Sequence, residues 1–263
     1  LVVFFSFDGP ESVHDEIRGK DSFKRAFEAF ARLKPLQSLY PELHLNVITT
    51  VMPQNAPVAS QFIDQIVREL EPNAISINLF RYHSLEHPPI PPDVLDAYEA
   101  ATAVYQEHLE RGRLAHYGFA GRRFLAAKEV LKSEVILRVA RDDAFVTPCT
   151  AGTLSYVINE DGAVSACEIL DPNQNLGWIS GTQRKGQPLR NSDSPSGPVP
   201  VSLGRVDTGL PPEESHKGVE TFREIVTSRR AQELRTWIDE TKCRCTYECA
   251  MTTNTLFSWP LSR

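Results

Sequence analysis

Apolar and polar positions in the first eighty residues switch between two periods. Leu1-Val2-Val3-Phe4-Phe5, extended by Phe7, is a nearly continuous apolar run closed by Asp8-Gly9-Pro10. It predicts a buried strand over 1–7 that ends in a turn. Phe23, Phe27, Phe30 and Leu33 then recur at helical spacing, with Asp21 or Ser22 placed to cap the helix. Leu43, Leu45 and Val47 alternate with His44 and Asn46 and run into 48–51, a second strand. Behind Pro57 and Ser60, the residues Phe62, Ile63, Ile66, Val67 and Leu70 line one face of a second helix. Ile75, Ile77 and Leu79 alternate within 74–80 and predict a third strand. Strand, helix, strand, helix, strand is the order of a parallel sheet with right-handed crossovers. Past the proline run 88–92, the residues Val94, Leu95, Tyr98, Ala101, Tyr105 and Leu109 mark a long helix, and a further helix is expected over 122–131.

The character of the chain changes near residue 140. Tyr156-Val157-Ile158 and Ala163-Val164 flank Asn159-Glu160-Asp161-Gly162, a hairpin signal. Residues 181–217 are rich in Gly, Pro and Ser and predict a long flexible surface loop. A last helix is expected over 219–241, carrying Phe222, Ile225, Leu234, Trp237 and Ile238. The expected division is therefore an α/β domain over 1–140 and a small cysteine-bearing α+β domain over 141–263.

Composition narrows the functional classes. Of 263 residues, 28 are Lys or Arg and 34 are Asp or Glu, a formal net charge of −6. A mildly acidic chain argues against a nucleic-acid partner, whose binding rests on basic surface. No run of 18 apolar residues exists, which argues against a membrane partner. The chain opens inside an apolar strand, without the charged flank of a signal peptide, and is expected to be a fragment of a longer protein.

All five cysteines, Cys149, Cys167, Cys243, Cys245 and Cys249, lie in the second half. Clustered cysteines without a secretory signal favour a metal over a disulfide framework. Twelve residues separate Cys149 from Gly162 and four separate Gly162 from Cys167, so a hairpin could bring the first two thiols together. The second group spans only seven positions, 243–249. Two ligands from each group would make a four-thiolate site, leaving Cys243 or Cys245 spare. Spacing leaves the metal open, since zinc and an iron–sulfur cluster both accept four thiolates. His83 and His87 are four apart, but Pro88 and Pro89 follow and spoil a helical zinc pair.

Ser6-Phe7-Asp8-Gly9-Pro10, followed by His14-Asp15 and Arg18-Gly19, resembles the fourth strand and exit loop of radical SAM enzymes that modify peptides and proteins. Thr50-Val51 with Asn55 resembles the fifth strand, and 75–81 the sixth. Cys149, Gly162 and Cys167, with the closing pair Cys245 and Cys249, resemble the auxiliary-cluster domain called SPASM, or its shorter twitch form. The resemblance spans nearly the whole chain except 181–217. It implies the C-terminal half of a partial (βα)6 TIM-like barrel, strands 4–6, followed by a twitch/SPASM domain. Two departures accompany it. The family's Cys-x3-Cys-x2-Cys motif and its Gly-Gly-Glu segment are absent, and five cysteines suit one auxiliary cluster rather than two.

The resemblance implies that the full-length enzyme reductively cleaves S-adenosylmethionine on a first 4Fe–4S cluster. The resulting 5′-deoxyadenosyl radical would abstract hydrogen from a peptide or protein substrate. An auxiliary 4Fe–4S cluster would transfer electrons, with a carrier such as flavodoxin or ferredoxin as donor, in the cytoplasm. Ser6 is expected near the cofactor's ribose, with Asp8 and Asn55 lining the same mouth. Glu168, directly after Cys167, stands where sulfatase-maturing relatives carry a carboxylate base. Turn chemistry alone also accounts for Ser6 and Asp8, and a solvated turn for Glu168. This fragment, lacking the first cluster's cysteines, is expected to be inactive alone. The alternative is a non-catalytic binding module with a structural four-cysteine zinc site.

Overall fold

The computed structural model describes residues 1–81, 88–114, 122–170, 175–179 and 221–258. His83, His87 and the loop expected over 181–217 lie outside the described residues. The chain divides into two compact units. The first comprises Leu1–Arg81, Pro89–Ala144 and Thr246–Glu248, and the second Tyr82–Pro88, Phe145–Cys245 and Cys249–Arg263.

In the first unit, β1 (Val2–Ser6), β2 (His44–Val51) and β3 (Ala74–Leu79) form a parallel sheet in the order β1-β2-β3. Phe5 pairs with Val47 and Val47 with Ile75, so these three buried side chains share one face. That face is covered by α2 (Ser22–Leu33), where Phe30 meets Phe5 edge-on at 5.1 Å and Phe23 meets Phe7 at 5.4 Å. α3 (Ala59–Leu70) buries Phe62, Ile63, Ile66, Val67 and Leu70, the stripe its sequence announces. On the opposite face, Val2 and Phe4 are exposed. Parallel sheets are ordinarily covered on both sides. The described strands do not close a barrel.

A short helix before α2 is not apparent from apolar periodicity. α1 (Glu11–Arg18) buries only His14. Its signals are polar: Pro10 ahead of it, Glu11 in its first turn and Arg18 in its last, which suit the helix dipole. Asp21 does occupy the N-cap position of α2, in a left-handed conformation, but its side chain caps nothing. Asp15 of α1 does that work. Its Oδ1 accepts from Phe23 N–H at 2.9 Å and from the Ser22 hydroxyl at 3.1 Å, and its Oδ2 accepts from Asp21 N–H at 2.7 Å. These donors hold the Asp15 carboxyl below its usual range.

α4 (Pro92–Glu110) buries Val94, Leu95, Tyr98, Ala101 and Tyr105. α5 (Arg122–Asp142) runs eleven residues past the expected end at 131. The reason is that 132–142 carries a second apolar group, Val135, Ile136, Leu137 and Val139, all buried. Lys132 is buried beside them and pairs with Glu129 Oε2 at 2.7 Å, while Glu129 also pairs with Lys128. Among the described residues, no helix is long and apolar enough to cross a membrane.

In the second unit, β4 (Val157–Ile158), β5 (Ala163–Ser165) and β6 (Gly177–Trp178) form an antiparallel sheet. The hairpin turn is closed by Gly162 N–H donating to Asn159 O at 2.9 Å, with Gly162 at φ +84°. The expected helix over 219–241 is two helices, α6 (Phe222–Thr227) and α7 (Arg229–Glu240). Ser228 separates them at ψ 160°, and its hydroxyl accepts from Ala231 N–H at 3.1 Å. A serine that caps the following turn interrupts what apolar spacing alone joins. α8 (Glu248–Phe257) has no counterpart in the sequence reading; it buries Ala250, Met251, Asn254 and Thr255.

Candidate metal centre

The hairpin carries Cys149 and Cys167 at its two flanks, and the chain leaving α7 carries Cys243 and Cys245. None of the five cysteines is in a disulfide. Cys149, Cys167 and Cys243 pack against a small aliphatic core that includes Ala151, Val164, Ala166, Leu234 and Ile238. Gly152 sits at φ +73°, and a Cβ there would approach that of Ala166 to 3.2 Å. Close approach of the two hairpin ends therefore depends on the glycine.

The thiols interact. Cys243 donates its S–H to Cys149, and that bond, with N–H from Ala151 and the Asn254 amide, brings the Cys149 thiol down to about 6. Cys243 is pushed strongly upward, first by that same bond and burial, then by the charges of Cys149, Cys245 and Cys167. The two hairpin cysteines share a further detail, since Ile169 N–H points at Cys167 Sγ at 3.5 Å. Each sulfur takes an N–H from the residue two positions on. Amide donors of this kind favour thiolate over thiol.

Fit to a metal can be judged from these side chains. Four thiols from two distant segments, two of them supplied with amide donors, match the chemistry of a four-thiolate centre. Among the described residues, no group of three or more His, Cys, Asp or Glu side chains is arranged to hold a metal ion as it stands. Cys249, at the start of α8, is exposed. The sequence reading leaves Cys243 or Cys245 as the spare thiol; in the structure the charges of Cys149, Cys245 and Cys167 all act on Cys243.

The other expected site residues divide. Ser6 ends β1, half-buried, and its hydroxyl has no hydrogen-bond partner among the described residues. Asp8 and Asn55 are fully buried and committed to the backbone. Asp8 Oδ1 accepts from Thr50 N–H at 2.8 Å and Oδ2 pairs with Arg18. Asn55 Nδ2 donates to Asp8 O at 2.8 Å and Thr50 O at 2.7 Å, and its Oδ1 accepts from Met52 N–H at 2.8 Å. His14 Nδ1 accepts from Asp8 N–H at 3.1 Å, and burial holds its ring below the usual imidazole range. Gly9 is confined between these groups at φ +148°, where a Cβ would meet Val13 Cγ1 at 3.0 Å. Glu168 is exposed.

Two positions stand out that sequence reasoning passed over. Glu248 accepts from Leu79 N–H, at the end of β3, at 2.7 Å, and burial pushes its carboxyl upward. Its neighbour Tyr247 lies under Arg81, 4.1 Å from guanidinium to ring centroid. Asn254 on α8 is the second: its Oδ1 accepts from Thr150 N–H at 2.8 Å and from the Thr150 hydroxyl at 2.7 Å, beside Cys149 in the chain. Neither lies in a motif, so only the folded chain reveals them. No protein-family model matches the chain, and neither a curated protein nor a solved structure does.

Proposed function

We propose that the chain is part of a radical SAM enzyme acting on a peptide or protein, and that its second unit holds one auxiliary 4Fe–4S cluster. The observation that carries this reading is that Cys149, Cys167 and Cys243, from segments almost eighty residues apart, pack against one small core, with Cys243 bonded to Cys149 and subject to the charges of Cys167 and Cys245. Such a cluster, when bound, supplies one-electron transfer. The chain's own contribution is to gather four sulfurs, to supply Ala151 and Ile169 N–H to two of them, and to release the proton shared by Cys149 and Cys243. Cys249 is exposed and is the fifth candidate ligand.

In the first unit the parallel strands stand for strands 4–6 of a partial barrel, whose inner face would be the one that leaves Phe4 exposed. Ser6, whose hydroxyl has no partner among the described residues, is the cofactor-binding candidate on that face. Asp8 and Asn55 would act by fixing the strand ends rather than by touching S-adenosylmethionine, since their polar atoms are already used. Residues 1–148 hold no cysteine, so the three thiolates of a first cluster would come from outside this sequence. Glu168 remains a candidate base by its place after Cys167 and its exposure. An electron carrier of the flavodoxin or ferredoxin class and a cytoplasmic setting complete the proposal.

The test is anaerobic reconstitution of the full chain with iron and sulfide. A brown protein with about four iron and four sulfide per chain is expected. A colourless protein retaining about one zinc would overturn the proposal in favour of a binding module with a structural zinc. The chain alone should not cleave S-adenosylmethionine; cleavage would show the assignment of the first cluster to be wrong.

A further inference from the structure

No further inference is drawn: the strongest candidate, the open groove between α4 and α5 lined by Leu109, Val130 and Leu131, is an unpartnered apolar face, and nothing in the structure shows what covers it.

Discussion

The strand ends of the first unit and the thiol-bearing turns of the second satisfy their polar groups in opposite ways. Around Asp8, each side-chain oxygen has a donor, Asn55 uses both its donor and its acceptor, and His14 closes the set. This knot lies under a core with large rings, including Phe5, Phe7 and Phe30. In the second unit the core is built from smaller side chains such as Ala151, Val164, Ala166 and Ala231. Cys149 and Cys243 there share a proton, and among the described residues Thr255 Oγ1 and Ser258 Oγ are buried without hydrogen bonds. A region whose polar atoms are all paired needs nothing more from its surroundings. In the second region the proposed metal would supply folding energy as well as chemistry.

The contrast breaks most sharply at the cysteines. Loss of groups that merely support a ligand costs about 10–100-fold in metal affinity. Replacing Cys149 and Cys243 together by alanine should therefore cost more than about 100-fold, read as iron retained after gel filtration. Limited proteolysis of that variant should cut within 145–258 while 1–81 stays protected. Equal sensitivity of both regions would show that the second unit does not depend on its thiols in the way proposed.

The strand-end knot should respond without reference to metal. Asn55→Ala deletes two donated bonds and one accepted bond, all buried, and should lower the unfolding free energy by about 2–3 kcal/mol. Asp8→Ala leaves Thr50 N–H without its acceptor and should cost about 2 kcal/mol, softened because Arg18 is 40% exposed and can be rehydrated. Chemical denaturation with and without metal would give the same differences. A metal-dependent difference would erase the distinction between the two regions.

The first unit was largely legible because its burial is periodic. Alternation gave β2 and β3, and the phenylalanine spacing gave α2. α1 escaped because it buries one side chain, and the extension of α5 escaped because a buried lysine, Lys132, breaks the apolar pattern. The candidate centre was legible as residue types, through cysteine spacing about a hairpin, but not as an arrangement. That Asp8 and Asn55 are consumed by backbone groups follows from where the strand ends meet, which no local pattern records. Asn254 had no signal, since an asparagine among threonines in Met251-Thr252-Thr253-Asn254 resembles any polar helix face.

Smaller effects sharpen the same contrast. Ser228→Ala should cost about 1 kcal/mol in the second unit by removing the cap on α7, and rejoining the two helices would not compensate because Ser228 is in an extended conformation.

The least of the effects concerns pH and belongs to the knot. Burial is the main cause holding His14 below the ordinary imidazole value, helped by Arg18 and opposed by Asp8 and Asp15. The unfolded chain takes up this proton as pH falls through about 6.5, and the folded chain resists it. The unfolded state then binds more protons, so stability falls with pH below that point. The contribution is complete above about pH 6.5 and is lost as pH drops through the depressed folded value. Protonation would also set an N–H against Asp8 N–H, which now donates to Nδ1 at 3.1 Å. His14→Asn keeps an acceptor in reach and removes the titration. Its unfolding free energy, measured by denaturant at pH 7.5 and again near pH 5.5 (about one unit either side of the imidazole value), should fall less than that of the wild type. An unchanged pH difference would place the acid sensitivity elsewhere and leave the knot a purely geometric device.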